Sequence, residues 1–189
     1  MARARRIKPI GRRVQLQTAA RQVLHARIAD LAVWGAYADD PTAVVELHNM
    51  RIAGKRLRYS LELLQTGLRG SVDEALSNVE QMQELLGAIH DADVLLDSLR
   101  RQIGVTALRE GLAQADAARA IPAPPPDDAG APTERQGLLT LLRTVARHRE
   151  ERYTAFTAWW SDHKTLLAEL EALTTEASPS ALQGAHQQD

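Results

Sequence analysis

The chain has 189 residues, enough for one domain with a real core, and 44% of them are apolar while only 4% are aromatic. It contains no cysteine, which excludes disulfides and thiolate metal sites, and no apolar run approaches the ~20 residues needed to span a bilayer. The net charge of −1 conceals an asymmetry: residues 1–70 carry 13 Lys+Arg against 5 Asp+Glu, and residues 71–189 carry 10 against 19. Such a chain can turn one basic surface toward an acidic partner, or basic and acidic helices can neutralise each other across a bundle. Leu and Ala dominate the composition, which favours helices packed on helices. The basic N-terminus has no apolar segment of a secretory signal, and the expectation is a cytoplasmic protein with no membrane association.

Residues 1–13 are basic, contain Pro9 and Gly11, and read as a flexible arm. A helical domain is expected over 14–174, followed by a flexible tail at 175–189. Its first helix spans about Val14 to Tyr37, with Val23, Leu24, Ile28, Leu31 and Trp34 among its apolar residues. Asp40 and Pro41 have the N-cap and first-turn pattern that opens a second helix, which stops near Gly67 to Gly70. Ser71 and Glu74 form a capping-box pattern for a third helix running to about Arg101. Gly104 is a weak break before helix resumes over Thr106 to Arg119. Five prolines exclude helix from 121–132, inside a loop bounded by 119 and 133. A long fourth helix then starts at about Thr133 and carries core residues as far as Leu170. Trp159 and Trp160 read as core or dimer-interface residues, and Gly87 as a point of close helix approach. Four long helices imply an all-α fold, an antiparallel four-helix bundle.

The second helix carries the chemistry. On a wheel of about 100° per residue, Leu47, Met50, Ala53, Gly54, Leu57, Leu61 and Leu64 share one face. His48, Arg51, Lys55, Arg58 and Tyr59 occupy the other, with Arg56 at its margin. From His48 to Arg58 this polar face extends roughly 15 Å. Like charges at i,i+4, such as Arg51 and Lys55, weaken an isolated helix by about 0.2–0.5 kcal/mol. A sequence that tolerates this either supplies carboxylates from a neighbouring helix or awaits a polyanion. Arginine suits phosphate because its planar fork pairs with two oxygens at once. The opposing expectation is that Arg56 and Arg58 lie over the core and meet Asp91, Asp93 or Glu62.

The segment LHNMRIAGKRLRY, with His48, Arg51, Lys55, Arg56, Leu57, Arg58 and Tyr59, resembles the signature of the CHAD family, the conserved histidine α-helical domain. LGAIHDADV resembles the second family motif at Leu86, Gly87, Asp91, Asp93 and Val94, with His90 where an arginine is often found. The stretches GLLTLLRTVARHRE and WWSDHKTLLAEL are like the family's last helix but far less specific, and the likeness covers about Val14 to Leu173. The resemblance implies an all-helical domain that binds inorganic polyphosphate through its basic residues, with His48, Arg51, Lys55, Arg56, Arg58 and Tyr59 as the binding set. It also implies association with polyphosphate granules. The family domain usually holds two four-helix repeats. This chain shows one, because HREERYTAF at 148–156 lacks the spacing that His48, Arg51 and Arg56 supply, and a homodimer would restore the missing half.

Supporting roles are expected for Asp91, which would orient an arginine of the second helix, and for Arg143, Arg147 and Arg152 as a second basic stripe. No cofactor or metal is expected. His48 has no second His or carboxylate at i+3 or i+4, so neither a zinc pair nor catalysis is indicated. Two binding alternatives stay open: the phosphate backbone of a nucleic acid, and an acidic protein docked on the basic face.

Overall fold

The computed structural model describes residues 4–5, 16–64, 72–119 and 133–175. These form five helices: α1 (Leu16–Gly35), α2 (Val44–Leu64), α3 (Val72–Ala117), α4 (Glu134–Asp162) and α5 (Leu166–Thr175). The all-α class expected from composition is observed, with no strand among the described residues. The expected helix stop at 67–70, Ser71, the proline-rich loop at 121–132 and the tail beyond Thr175 lie outside the described residues. So does the 1–13 arm, apart from Ala4 and Arg5. Arg5 is fastened rather than loose. Its backbone N–H donates to Asp30 Oδ2 at 3.2 Å and its guanidinium lies 3.4 Å from the same carboxylate. Arg27 reaches Asp30 at 3.5 Å, so this buried acid, 8% exposed, is balanced by two cations.

The chain divides into two compact units, Met1–Gly87 with Ala155–Asp189, and Ala88–Thr154. In the first, α1 packs on α2 and α5. Ala20, Leu24, Ile28 and Leu31 recur at helical spacing and are buried. The apolar face expected on α2 is the buried one: Leu47, Met50, Ala53, Gly54, Leu57 and Leu61. Leu64 is half-buried, and Asn49 is buried with them. The start of α3 adds Val72, Ala75, Val79, Met82 and Leu86. The Met82 side chain packs into the space that Gly54 leaves: a Cβ there would stand 2.6 Å from Met82 Cε, and Gln83 Nε2 donates to the Gly54 carbonyl at 3.3 Å. At Gly87, where a close helix approach is expected, a Cβ would meet only Arg51 Nε, at 3.7 Å, so packing does not require a glycine there. The end of α4 contributes Phe156 and Trp159, and α5 contributes Leu166 and Leu170. Trp160 lies against Gly35, with ring carbon Cζ2 2.9 Å from where a Cβ would be.

Three local expectations are corrected. Asp40 does not cap α2 directly. Its carboxylate accepts the Thr42 N–H at 2.8 Å and the Thr42 hydroxyl at 2.6 Å, closing a turn, and the first helical bond runs from Leu47 N–H to Ala43 O. The Thr42 hydroxyl and N–H hold the Asp40 carboxyl below its usual value of 3.8. Second, α3 passes through Gly104 without a break. One glycine in a helix interior costs about 1 kcal/mol against alanine, which a helix of 46 residues absorbs. Third, the expected fourth helix is two. His163 Nδ1 lies 2.8 Å from the Trp159 carbonyl at the end of α4, and Thr165 starts α5 by accepting the Glu169 N–H at 2.9 Å. Thr133 does start α4. Its hydroxyl accepts the Gln136 N–H at 3.3 Å while the Gln136 side chain accepts the Thr133 N–H at 3.0 Å, a reciprocal capping box.

The second unit has a smaller core. Leu96, Leu99 and Val145 are buried, flanked by Ala92, Leu138, Leu142 and Ala146. A largely buried ion pair joins Arg149 Nε to Asp93 at 2.6 Å, with side chains 14% and 12% exposed. Arg109–Glu134 and Arg135–Glu110, both at 3.9 Å, tie the far ends of α3 and α4.

Candidate anion-binding site

The buried face of α2 fixes which way its cations turn. His48, Arg51, Arg56 and Arg58 are half-buried, and Lys55 and Tyr59 are exposed. All six lie on one helix within the first compact unit. Tyr59 stands beneath two of the cations, with Lys55 Nζ 5.9 Å and Arg58 Cζ 4.9 Å from its ring centroid. Such contacts are worth about 0.5–1 kcal/mol at exposed sites, and here they restrict where two flexible side chains point.

The ladder is not uniform. Arg58 has carboxylate partners: Glu62 at 2.6 Å on its own helix and Glu80 at 3.5 Å on α3. With Glu80, Gln83 and Glu84 it lines an open groove of about 380 Å³. The expectation that this arginine meets Glu62 is thus realised, and Glu80 is a partner that sequence reading did not single out. Its signal was available, since Glu80, Gln83 and Glu84 recur at i, i+3 and i+4 on α3 and so share a face.

Arg51 and Lys55 differ. Among the described residues neither has a carboxylate within 4.0 Å. They stand one helical turn apart, about 6 Å of rise. Uncompensated positive charge on α2 is therefore concentrated at this pair, and one member is half-buried. An anion arriving here displaces no carboxylate of the described residues from either cation.

The supporting residues fall in the second unit. Asp91 is exposed and makes no ion pair among the described residues. The carboxylate that orients an arginine is Asp93, and its arginine is Arg149 of α4 rather than one of α2. Arg143, Arg147 and Arg152 are all exposed, and Arg147 is 3.9 Å from Glu151. Among the described residues no group of three or more His, Asp or Glu is placed to hold a metal ion, and no helix is long and apolar enough to cross a membrane.

The family model for the CHAD domain matches residues 2–100, just over half of the chain. The chain belongs to the CHAD family. Both motifs, at 47–59 and 86–94, fall inside the matched span. The stretches that resemble the family's last helix lie beyond it, so membership rests on α1, α2 and α3 as far as Arg100. No curated protein and no solved structure matches the chain.

Proposed function

We propose that this CHAD protein binds inorganic polyphosphate on the outer face of α2, without turning it over. The observation that carries the reading is the Arg51–Lys55 pair, two cations one turn apart with no carboxylate partner among the described residues. Arg58 joins them once an anion competes with Glu62 and Glu80. A linear polyanion suits a line of cations along a helix better than a compact anion does, because each phosphate unit neutralises a different side chain. His48, Arg56 and Tyr59 complete the contact set. The chain then serves as a single repeat of the family's fold, with a homodimer supplying a second ladder, and the family likeness supports recruitment to polyphosphate granules in the cytoplasm. Nucleic acid is the competing polyanion, because the same cations bind any phosphate backbone.

The test is binding of labelled polyphosphate to the wild type and to a triple variant, R51E/K55E/R58E, with single-stranded DNA as competitor at equal phosphate concentration. Each charge-assisted contact is worth about 1.5–3 kcal/mol, so the variant should lose more than about a hundredfold in affinity while its far-UV circular dichroism is unchanged. Unchanged affinity in a folded variant, or displacement of polyphosphate by DNA, overturns the reading. Phosphate release on adding divalent cations would show turnover, and light scattering of the same samples reads the oligomeric state.

A further inference from the structure

Gly87 lies on α3 beside Arg51, and both are half-exposed. A Cβ built on Gly87 would stand 3.7 Å from Arg51 Nε, an ordinary contact distance, and would meet nothing else within 4 Å among the described residues. Packing therefore does not require a glycine here, in contrast to Gly54, where Met82 stands at 2.6 Å. After proline, glycine is the least favourable residue for a helix interior. Gly87 thus places bare backbone, with no side chain, beside the Nε of Arg51. Nε–H and the neighbouring Nη–H make a two-donor fork of the kind that takes two phosphate oxygens at once.

We propose that Gly87 is an access-determining residue: its bare backbone leaves the Nε edge of Arg51 open to one phosphate unit of a polymeric anion. The inference rests on the polyphosphate reading of α2 and adds the point of entry. Lys55, one turn along, takes the adjoining unit. A branched side chain at 87 would fill the volume in front of Nε while leaving the arginine, its charge and its helix in place.

The experiment measures affinity for polyphosphate of defined length and for single-stranded DNA, each over a salt series, for the wild type, G87A, G87L, G87Q and R51A. G87A should bind within about twofold of the wild type, because its methyl makes only an ordinary contact. G87L and G87Q should weaken polyphosphate binding by about tenfold or more, as R51A does. They should also lower the slope of log affinity on log salt by about one contact, as R51A does. The G87L/R51A double variant should bind no more weakly than either single variant. Both substitutions at 87 raise helix propensity, and thermal melts verify that the variants are folded; if G87L melts early, G87Q supplies the same reading. Wild-type affinity in a folded G87L or G87Q overturns the role of Gly87. A wild type that does not bind polyphosphate overturns the function instead. Loss confined to DNA assigns the phosphate to a nucleic acid and overturns the polyphosphate source.

Discussion

Arg51 and Arg58 are two turns apart on one helix and meet different surroundings, and that difference sets what each does when an anion arrives. Arg58 must exchange Glu62 and Glu80 for phosphate; Arg51 has no carboxylate partner among the described residues to give up. Exposed ion pairs are worth about 0.2–1 kcal/mol each, so removing both competitors should help an anion by a modest factor. The E62Q/E80Q variant is expected to bind polyphosphate about two- to fivefold more tightly, measured by titration at low salt. Unchanged affinity would show that Arg58 takes no part in binding and that Arg51 and Lys55 carry the contact. Asp40 offers a second residue-scale measurement. Its carboxyl is held below 3.8 first by the Thr42 hydroxyl and then by the Thr42 backbone N–H. A lowered folded-state value means the charged form stabilises the turn. That contribution is present above the unfolded value and is lost as the pH falls through the folded one. A carboxyl NMR titration should give a midpoint below 3.8, and Thr42→Ala should move it back up; a wild-type midpoint at or above 3.8 contradicts the geometry.

At the scale of elements, two glycines separate packing that can adjust from packing that cannot. The group facing Gly54 is the terminal methyl of Met82, the free end of a flexible side chain. The group facing Gly35 is the ring of Trp160, with Cζ2 at 2.9 Å and Cη2 at 3.3 Å. A rigid ring moves only as a whole, so Gly35→Ala should destabilise by about 1–3 kcal/mol. Gly54→Ala should cost less, because the gain in helix propensity, about 1 kcal/mol, offsets part of the strain. Thermal melts of the two variants test the order, and a G54A variant that melts below G35A would contradict it. The same elements show what a sequence discloses. The α2 wheel placed Leu47, Met50, Ala53, Gly54, Leu57 and Leu61 correctly because periodicity reports which face is buried. It did not report that Arg58 meets Glu80, because partners on another helix depend on register, which a single helix does not encode. The breaks were misplaced at Gly104 and His163 for a related reason. A lone glycine is a weak signal that neighbouring turns override, whereas the carbonyl and hydroxyl contacts at 159–169 that part α4 from α5 have little periodic signature. Likewise Asp93 rather than Asp91 holds an arginine: the two acids are two residues apart in the motif, and so they leave the helix in directions about 200° apart.

For the whole molecule, the two compact units carry unequal cores, and this should be visible in how they open. The first buries side chains from every helix, including Phe156, Leu24, Ile28, Met50, Leu57 and Met82, each under 2% exposed. The second relies on Ile89, Leu96, Leu99 and Val145, the Asp93–Arg149 pair, and two ion pairs at 3.9 Å toward its far end. Along that end Val105, Leu108 and Leu112 are 52%, 66% and 60% exposed, so they contribute little burial to hold their helix. Local opening follows buried apolar contact, and backbone amides with little of it exchange first. Native-state hydrogen exchange should therefore show the amides of 104–117 exchanging about tenfold or more faster than those of 47–61. Arg149→Ala, which leaves the largely buried Asp93 carboxylate unpaired, should widen that gap by loosening the second unit while the amides of α2 keep their protection. Added polyphosphate supplies the complementary control. Bound on α2 it should slow exchange within 47–61 and leave 104–117 unchanged, because a ligand stabilises only the openings that destroy its own site. Equal protection across both segments would mean that the second unit draws its stability from contacts other than its own core.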